Sequence, residues 1–360
     1  GGCSRLPNDD TRCAGSSPAF AASTSAFALH LVIILPASIA TMLQQYARDF
    51  NCLSDQDRKT RQRALQKLSA LASSPQSELD EAWEQALRVP LLKLFSDTVE
   101  KNRELAIGLA TQLVPVLGPG MLRDSLPYLL PVIVARLASN PVAEEGEELR
   151  LQLLQLLQLL LERTSGEPLA PHLPELVEVL SASYADAFPD SKKAACALTK
   201  AVAEQLPTYI EPHCAALVKA LQPMLAHQHS RVRSVATEAL VALLLCETSS
   251  LAEVGPQLAL LVSDRAPAVR EQAVHSITQL LVRMDGPAQR GHSARLLPLL
   301  LGALSDEVDS IAKLALVSLD RLGQLLSAAP PAQDGSASPM AVDLAAAAGF
   351  AAGAEAEDPQ

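Results

Sequence analysis

Ser263-Asp264-Arg265-Ala266-Pro267-Ala268-Val269-Arg270-Glu271-Gln272-Ala273 is the stretch that decides the fold, because its frame recurs along the whole chain. An Asp stands at the turn, a basic residue follows six positions on, and an Ala follows nine positions on. Asp55/Arg61/Ala64, Asp97/Arg103/Ala106 and Asp264/Arg270/Ala273 are complete copies, and Asp186/Lys192/Ala195, His227/Arg233/Ala236 and Asp306/Ala312/Ala315 are near copies. Ser139-Asn140 takes the same place in a further unit, with Arg150 ten residues on, which predicts a turn longer by four residues. The key positions then run 55, 97, 140, 186, 227, 264 and 306. A period of roughly 40 to 47 residues is that of stacked pairs of antiparallel helices.

The expected fold is therefore all-α: an α-solenoid of about seven HEAT-type helix pairs, armadillo-like in its superhelix. A solenoid grows along one axis, so 360 residues need no second core. Apolar residues make up 49% of the chain and aromatics 3%, so Leu, Ala and Val must build the interior. That favours closely packed helices over sheets, which draw on aromatic and β-branched residues. The expected organisation is a disordered or irregular segment over 1–36, the solenoid over 37–326 and a disordered, acidic Ala/Pro/Gly-rich tail over 327–360. The first residue is Gly1 and not Met, as expected of a fragment or an incomplete gene model.

Each unit reads as a first helix, A, a polar turn and a second helix, B. Ile39, Met42, Leu43, Tyr46, Phe50 and Leu53 recur at helical spacing and give the first A helix its buried stripe. Ser54-Asp55 makes the turn, and Ala64, Leu65, Leu68 and Leu71 face inward from helix B. Leu79, Trp83, Leu87, Leu91 and Leu94 repeat the pattern in the second unit. Ala nine residues after the turn marks close approach of two helices, where a large side chain would hold them apart. Residues 149–161 form a leucine cylinder with Gln152, Gln155 and Gln158 as its one narrow polar stripe, as expected of a helix buried between neighbouring units.

The formal charge is −11, which argues against nonspecific nucleic-acid binding, since that depends on Lys and Arg neutralising phosphates. The run from Phe27 to Leu35 is about half the length of a bilayer span, so no membrane partner is expected. The six cysteines lack CxxC spacing and read as small buried hydrophobes of a reduced compartment. No GxGxxG, P-loop, HExxH or GxSxG occurs, so neither cofactor nor catalysis is expected. His227 and His229 lack nearby Cys, Asp or Glu to complete a tetrahedral metal site, and His227 stands where Asp stands elsewhere.

The recurring charges are the candidates that remain. Asp55, Arg61, Asp97, Arg103, Asp186, Lys192, Arg233, Asp264, Arg270 and Asp306 suggest a ladder in which each basic residue meets a turn Asp of its own or the adjacent unit. The competing reading is a basic groove for an acidic partner. Arg58, Lys59, Arg61 and Arg63 form a local basic excess at the first unit, a second candidate surface for a protein partner.

Gly146-Glu147-Glu148-Leu149-Arg150-Leu151, Leu169-Ala170-Pro171-His172-Leu173 and His227-Gln228-His229-Ser230-Arg231-Val232-Arg233 resemble the N-terminal half of the HEAT-repeat dynein axonemal assembly factors. Leu304-Ser305-Asp306-Glu307-Val308 is similar to a later repeat of that family. The resemblance covers roughly residues 50 to 326. It implies a cytoplasmic, non-enzymatic scaffold for preassembly of axonemal dynein arms, with dynein chains, other assembly factors or chaperones as partners. A general HEAT scaffold or transport adaptor is the alternative. A TOG-like tubulin binder would carry an aromatic residue in its first turn, where this chain has Ser54 to Arg58.

Overall fold

The computed structural model describes residues 37–328; the expectations for residues 1–36 and for the tail from 329 onward lie outside the described residues. Among the described residues every regular element is helical. The pairs follow one another in chain order. α1 (Ala37–Cys52) and α2 (Arg58–Leu68) form the first, and α3 (Gln76–Ala82), α4 (Arg88–Lys93) and α5 (Glu100–Leu113) the second. α6 (Pro119–Leu137) with α7 (Glu147–Thr164), and α8 (Leu173–Tyr184) with α9 (Pro189–Gln205), are the third and fourth. α10 (Pro207–Ile210), α11 (Cys214–Leu221) and α12 (Ser230–Cys246) form the fifth, α13 (Leu251–Val262) and α14 (Pro267–Arg283) the sixth, and α15 (Gly286–Ala303) and α16 (Asp309–Ala328) the seventh.

The B helices α2, α5, α7, α9, α12, α14 and α16 pack in one continuous row, and the A elements form a second layer beside them. Ala64, Ala106, Ala195, Ala236, Ala273 and Ala315 are all buried in the B row. A methyl group at these positions lets each B helix approach its neighbours without displacing side chains. The third unit differs, since buried Leu153 stands at the matching place in α7. α7 is accordingly leucine on most sides, with Leu149, Leu153, Leu154, Leu156, Leu157, Leu160 and Leu161 buried and Gln155 exposed. It stops where Ser165 and Gly166 both take positive φ, of 58° and 79°. Ser165 bears the strain of the left-handed region, while Gly166 enters it freely.

The A layer is less regular than its periodic sequence suggests. In the second unit the single expected helix is divided: α3 passes into a π-helical segment, Trp83–Leu87, then α4, then a 3-10 turn, Leu94–Ser96. Its stripe of Leu79, Trp83, Leu87, Leu91 and Leu94 is nevertheless buried throughout. Trp83 Nε1 donates to Ser125 Oγ at 2.8 Å, which satisfies the buried indole and ties the second unit to the third. Pro90, Pro127, Pro131, Pro256 and Pro298 lie within A helices, and Pro174 lies in the first turn of α8. Pro in a first turn is free of penalty, whereas an interior Pro removes one bond and bends the helix.

Of the cysteines in the described region, Cys196 and Cys214 are buried, Cys52 and Cys246 are half-buried, and all four are free. Burial pushes the Cys196 thiol up to about 12, which keeps it an unreactive hydrophobe.

Candidate functional site

The A-to-B turns bring the recurring charges into one line along the solenoid. Each turn residue caps its own loop: Asp55, Asp97, Asp186, Asp264 and Asp306 accept through Oδ1 from the backbone N–H two residues on. This closes an Asx-type turn and holds the carboxylate at the start of the B helix. α2 also has its own cap, Asp57, whose side chain accepts from Thr60 N at 2.9 Å.

The guanidinium six residues further on spans two units. Its Nη1 donates to the carbonyl of its own turn residue: Arg61 to Asp55, Arg103 to Asp97, Arg233 to His227 and Arg270 to Asp264, at 2.7–3.0 Å. Its Nε and Nη2 form a bidentate pair with the carboxylate of the next unit. Arg61 meets Asp97 at 2.6 and 3.0 Å. Arg233 meets Asp264 at 2.7 and 2.6 Å, and Arg270 meets Asp306 at 2.7 and 2.9 Å. The planar fork thus reads backbone on one side and carboxylate on the other, a task a lysine cannot copy.

The third unit corrects the expected register. Glu144, and not Asn140, takes the turn-carboxylate place, six residues before Arg150. Glu144 is fully buried. It accepts from Arg103 Nε and Nη2 at 2.8 Å each, from Arg136 Nη2 at 2.6 Å and from Gly146 N at 3.1 Å. Residues 139–143 loop out ahead of it, and the extra methylene of Glu reaches back to the line. Arg150 continues the ladder, donating to Glu144 O at 3.1 Å and to Asp186 at 2.6 and 2.9 Å.

Electrostatics follow from this packing. Burial alone would push the carboxyls of Asp97, Glu144, Asp186 and Asp264 up, but the facing guanidiniums and backbone N–H donors outweigh it and hold each below the ordinary carboxylate range. For Asp306 the Arg270 hydrogen bond is the leading cause of the same lowering.

Two expected members stand outside the ladder. The Asp55 carboxylate bonds only within its own turn, because no described unit precedes it to offer an arginine. Lys192 forms no ion pair among the described residues: the residue it faces in the next unit is His227. His227 copies the turn geometry with a ring nitrogen, Nδ1 accepting from His229 N at 3.1 Å. Desolvation, then the charges of Lys192, His229 and Arg233, hold this imidazole below its ordinary value, so it is neutral at pH 7. In the basic patch of the first unit, Arg61 is committed to Asp97, while Arg58, Lys59 and Arg63 are exposed and make no ion pair among the described residues.

The line of turns is a framework of fixed charges, most of them paired across units. Among the described residues no three His, Cys, Asp or Glu side chains converge as a metal site would require. A groove of about 510 Å³ beside the last rung is lined by Ser263, Arg270, Asp306 and Glu307 over Ala259, Leu299 and Gly302. Among the described residues no helix is long and apolar enough to cross a membrane.

The model of the dynein axonemal assembly factor 5-like family, described as having TPR repeats, matches residues 52–328. The chain belongs to this family. Its 33% identity to dynein axonemal assembly factor 5 of Xenopus laevis runs over 282 residues, which is 77% of this chain and 33% of that protein. The factor of Homo sapiens is 32% identical over 71% of this chain and 30% of its own length. The chain thus spans about a third of the length of the curated relatives it matches. In shape it is similar to the Kap95 chain of a Kap95:Nup1 complex, with a TM-score of 0.61 at 14% identity over 80% of this chain and 36% of that one. It is also similar to Kap95p bound to RanGDP, with a TM-score of 0.54 at 12% identity over 87% of this chain and 39% of the other. These likenesses establish an armadillo/HEAT-type solenoid. The turn-to-turn spacing exceeds the roughly 34 residues of a TPR unit and agrees with the HEAT-type length.

Proposed function

We propose that this chain is a non-enzymatic scaffold that helps assemble axonemal dynein arms in the cytoplasm before they enter cilia or flagella, acting by protein–protein binding. Membership of the dynein axonemal assembly factor 5-like family over residues 52–328 is the observation that carries this reading. The architecture supports it. A stack of helix pairs presents a long surface, and the bidentate ladder locks pair to pair at five of the six junctions before any partner arrives. Binding to a preordered surface loses little conformational entropy, so a modest set of contacts suffices to hold a large client. Dynein chains, other assembly factors and chaperones are the proposed partners.

Deletion of the gene in a ciliating cell, with electron microscopy of axoneme cross-sections, tests the role. The expected result is cilia that form but lack dynein arms; normal arms would refute it. Affinity purification of the chain from such cells should recover dynein heavy or intermediate chains, and recovery of tubulin or transport cargo in their place would select a different scaffold function.

A further inference from the structure

The ladder is interrupted once, and the interruption has a chemical sign. At five junctions an arginine of one unit grips a carboxylate of the next. Between the fourth and fifth units the arginine is Lys192 and the carboxylate is His227, so the junction holds a cation without its acid. More positive charge gathers around it. Arg231 is exposed in the first turn of α12, exposed Arg265 reaches over from the next turn with its Nη2 3.4 Å from Gln228 O, and the exposed imidazole of His229 adds a further polar group on the same turn. The neighbouring acids are already engaged: Asp186 with Arg150, Asp190 with Lys193 and Asp264 with Arg233. In a chain of net charge −11, this edge is a basic notch whose nearest acids, Asp186 beside Lys192 and Asp264 beside Arg265, are each already bonded by an arginine of the preceding unit.

We propose that this notch, formed by Lys192, His227, His229, Arg231 and Arg265, docks an acidic segment of a protein partner, whose carboxylate supplies the missing member of the ladder. A carboxylate is the fitting group because it fills the corresponding place at each of the other junctions, against a basic side chain of the preceding unit. His227 accepts through Nδ1, so its proton lies on Nε2 and is a donor for an incoming acid. Charge complementarity of this kind gives partner discrimination and a salt-dependent association rate. The inference requires only that the chain binds proteins, and it stands or falls independently of the dynein-arm role.

The test is fluorescence anisotropy of a labelled ten-glutamate peptide with the full 360-residue chain at low and physiological salt. Binding should weaken as salt rises. Lys192→Glu and Arg265→Glu together should weaken it by about tenfold or more. His227→Asp should do likewise by giving Lys192 an internal acid, while Arg58→Ala with Lys59→Ala at the first unit leaves it unchanged. Circular dichroism and melting of each variant separate lost binding from lost folding, and His227→Asp serves as the informative variant if the double glutamate variant unfolds. Carbodiimide crosslinking followed by mass spectrometry should join Lys192 to the peptide. No binding, equal binding by all variants, loss only in the Arg58/Lys59 variant, displacement by millimolar inorganic phosphate at constant ionic strength, or crosslinks from Lys192 only to the chain's own Asp334–Asp358 acids would each overturn the proposal.

Discussion

The junction at Glu144 and the junction at His227 occupy equivalent places in the solenoid and have opposite electrostatic characters. Glu144 is fully buried between two guanidiniums, Arg103 and Arg136, and a backbone N–H. His227 is half-buried, neutral, and faces an unpaired lysine. The first is a charge withdrawn from water and fully satisfied; the second is a half-buried cation to which no carboxylate of the next unit is bonded. The same repeat grammar therefore builds both a strong clamp and a gap, and the difference lies in one side chain at the turn.

Removing the clamp should have the largest effect. Glu144→Ala leaves Arg136 and the Nε and Nη2 of Arg103 without their carboxylate in a largely buried setting, and breaking such a pair typically destabilises by about 3–5 kcal/mol. Because a solenoid unfolds unit by unit, the loss should be local, and hydrogen exchange of α5, α6 and α7 should accelerate well before that of α14. Uniform protection with an unchanged melting curve would show that the clamp contributes nothing.

Overpacking the B row should come next. Ala106 and Ala273 are completely buried where adjacent B helices meet. Replacing either by Phe forces the helices apart and should destabilise the adjoining pair by about 1–3 kcal/mol. Equal losses at both sites are expected, because close approach belongs to the repeat and not to the identity of the junction. A melting transition unmoved by either substitution would disprove the close-approach argument.

The Asp, Arg and Ala frame made the helix pairs, their number and the buried alanines legible from residue types alone, because a repeated steric and hydrogen-bonding problem has the same solution in each unit. Glu144 was hidden because Ser139-Asn140 imitates the Ser-Asp start of other turns. Counting six residues back from Arg150 would have found it. The division of the second A element around Trp83–Leu87 was hidden for another reason: a π-helical segment keeps the same residues facing inward, so the apolar periodicity is unaffected. Lys192 matched the frame by charge, yet charge alone does not reproduce a fork that holds backbone and carboxylate together.

Repairing the gap should give the smallest effect and the clearest sign. In His227→Asp the new carboxylate can accept from residue 229 N, as Asp264 accepts from Ala266 N, and can pair with half-buried Lys192. The gain should be roughly 0.2–1 kcal/mol, the range of partly exposed ion pairs. Its pH dependence distinguishes it from generic stabilisation. The folded-state value of His227 is lowered, so its contribution is present above about pH 6.5, the ordinary histidine value, and is lost as pH falls through the lowered one. The ladder carboxylates are lowered too, and their contribution is kept above about pH 4 and lost only below it. Between pH 7.5 and 5.5 the wild-type chain should therefore lose melting temperature that His227→Asp retains, and the gap between the two should widen. A gap that stays constant or narrows would mean that burial and the charges of Lys192, His229 and Arg233 do not hold the His227 imidazole neutral, and that the two junctions differ in packing and not in charge.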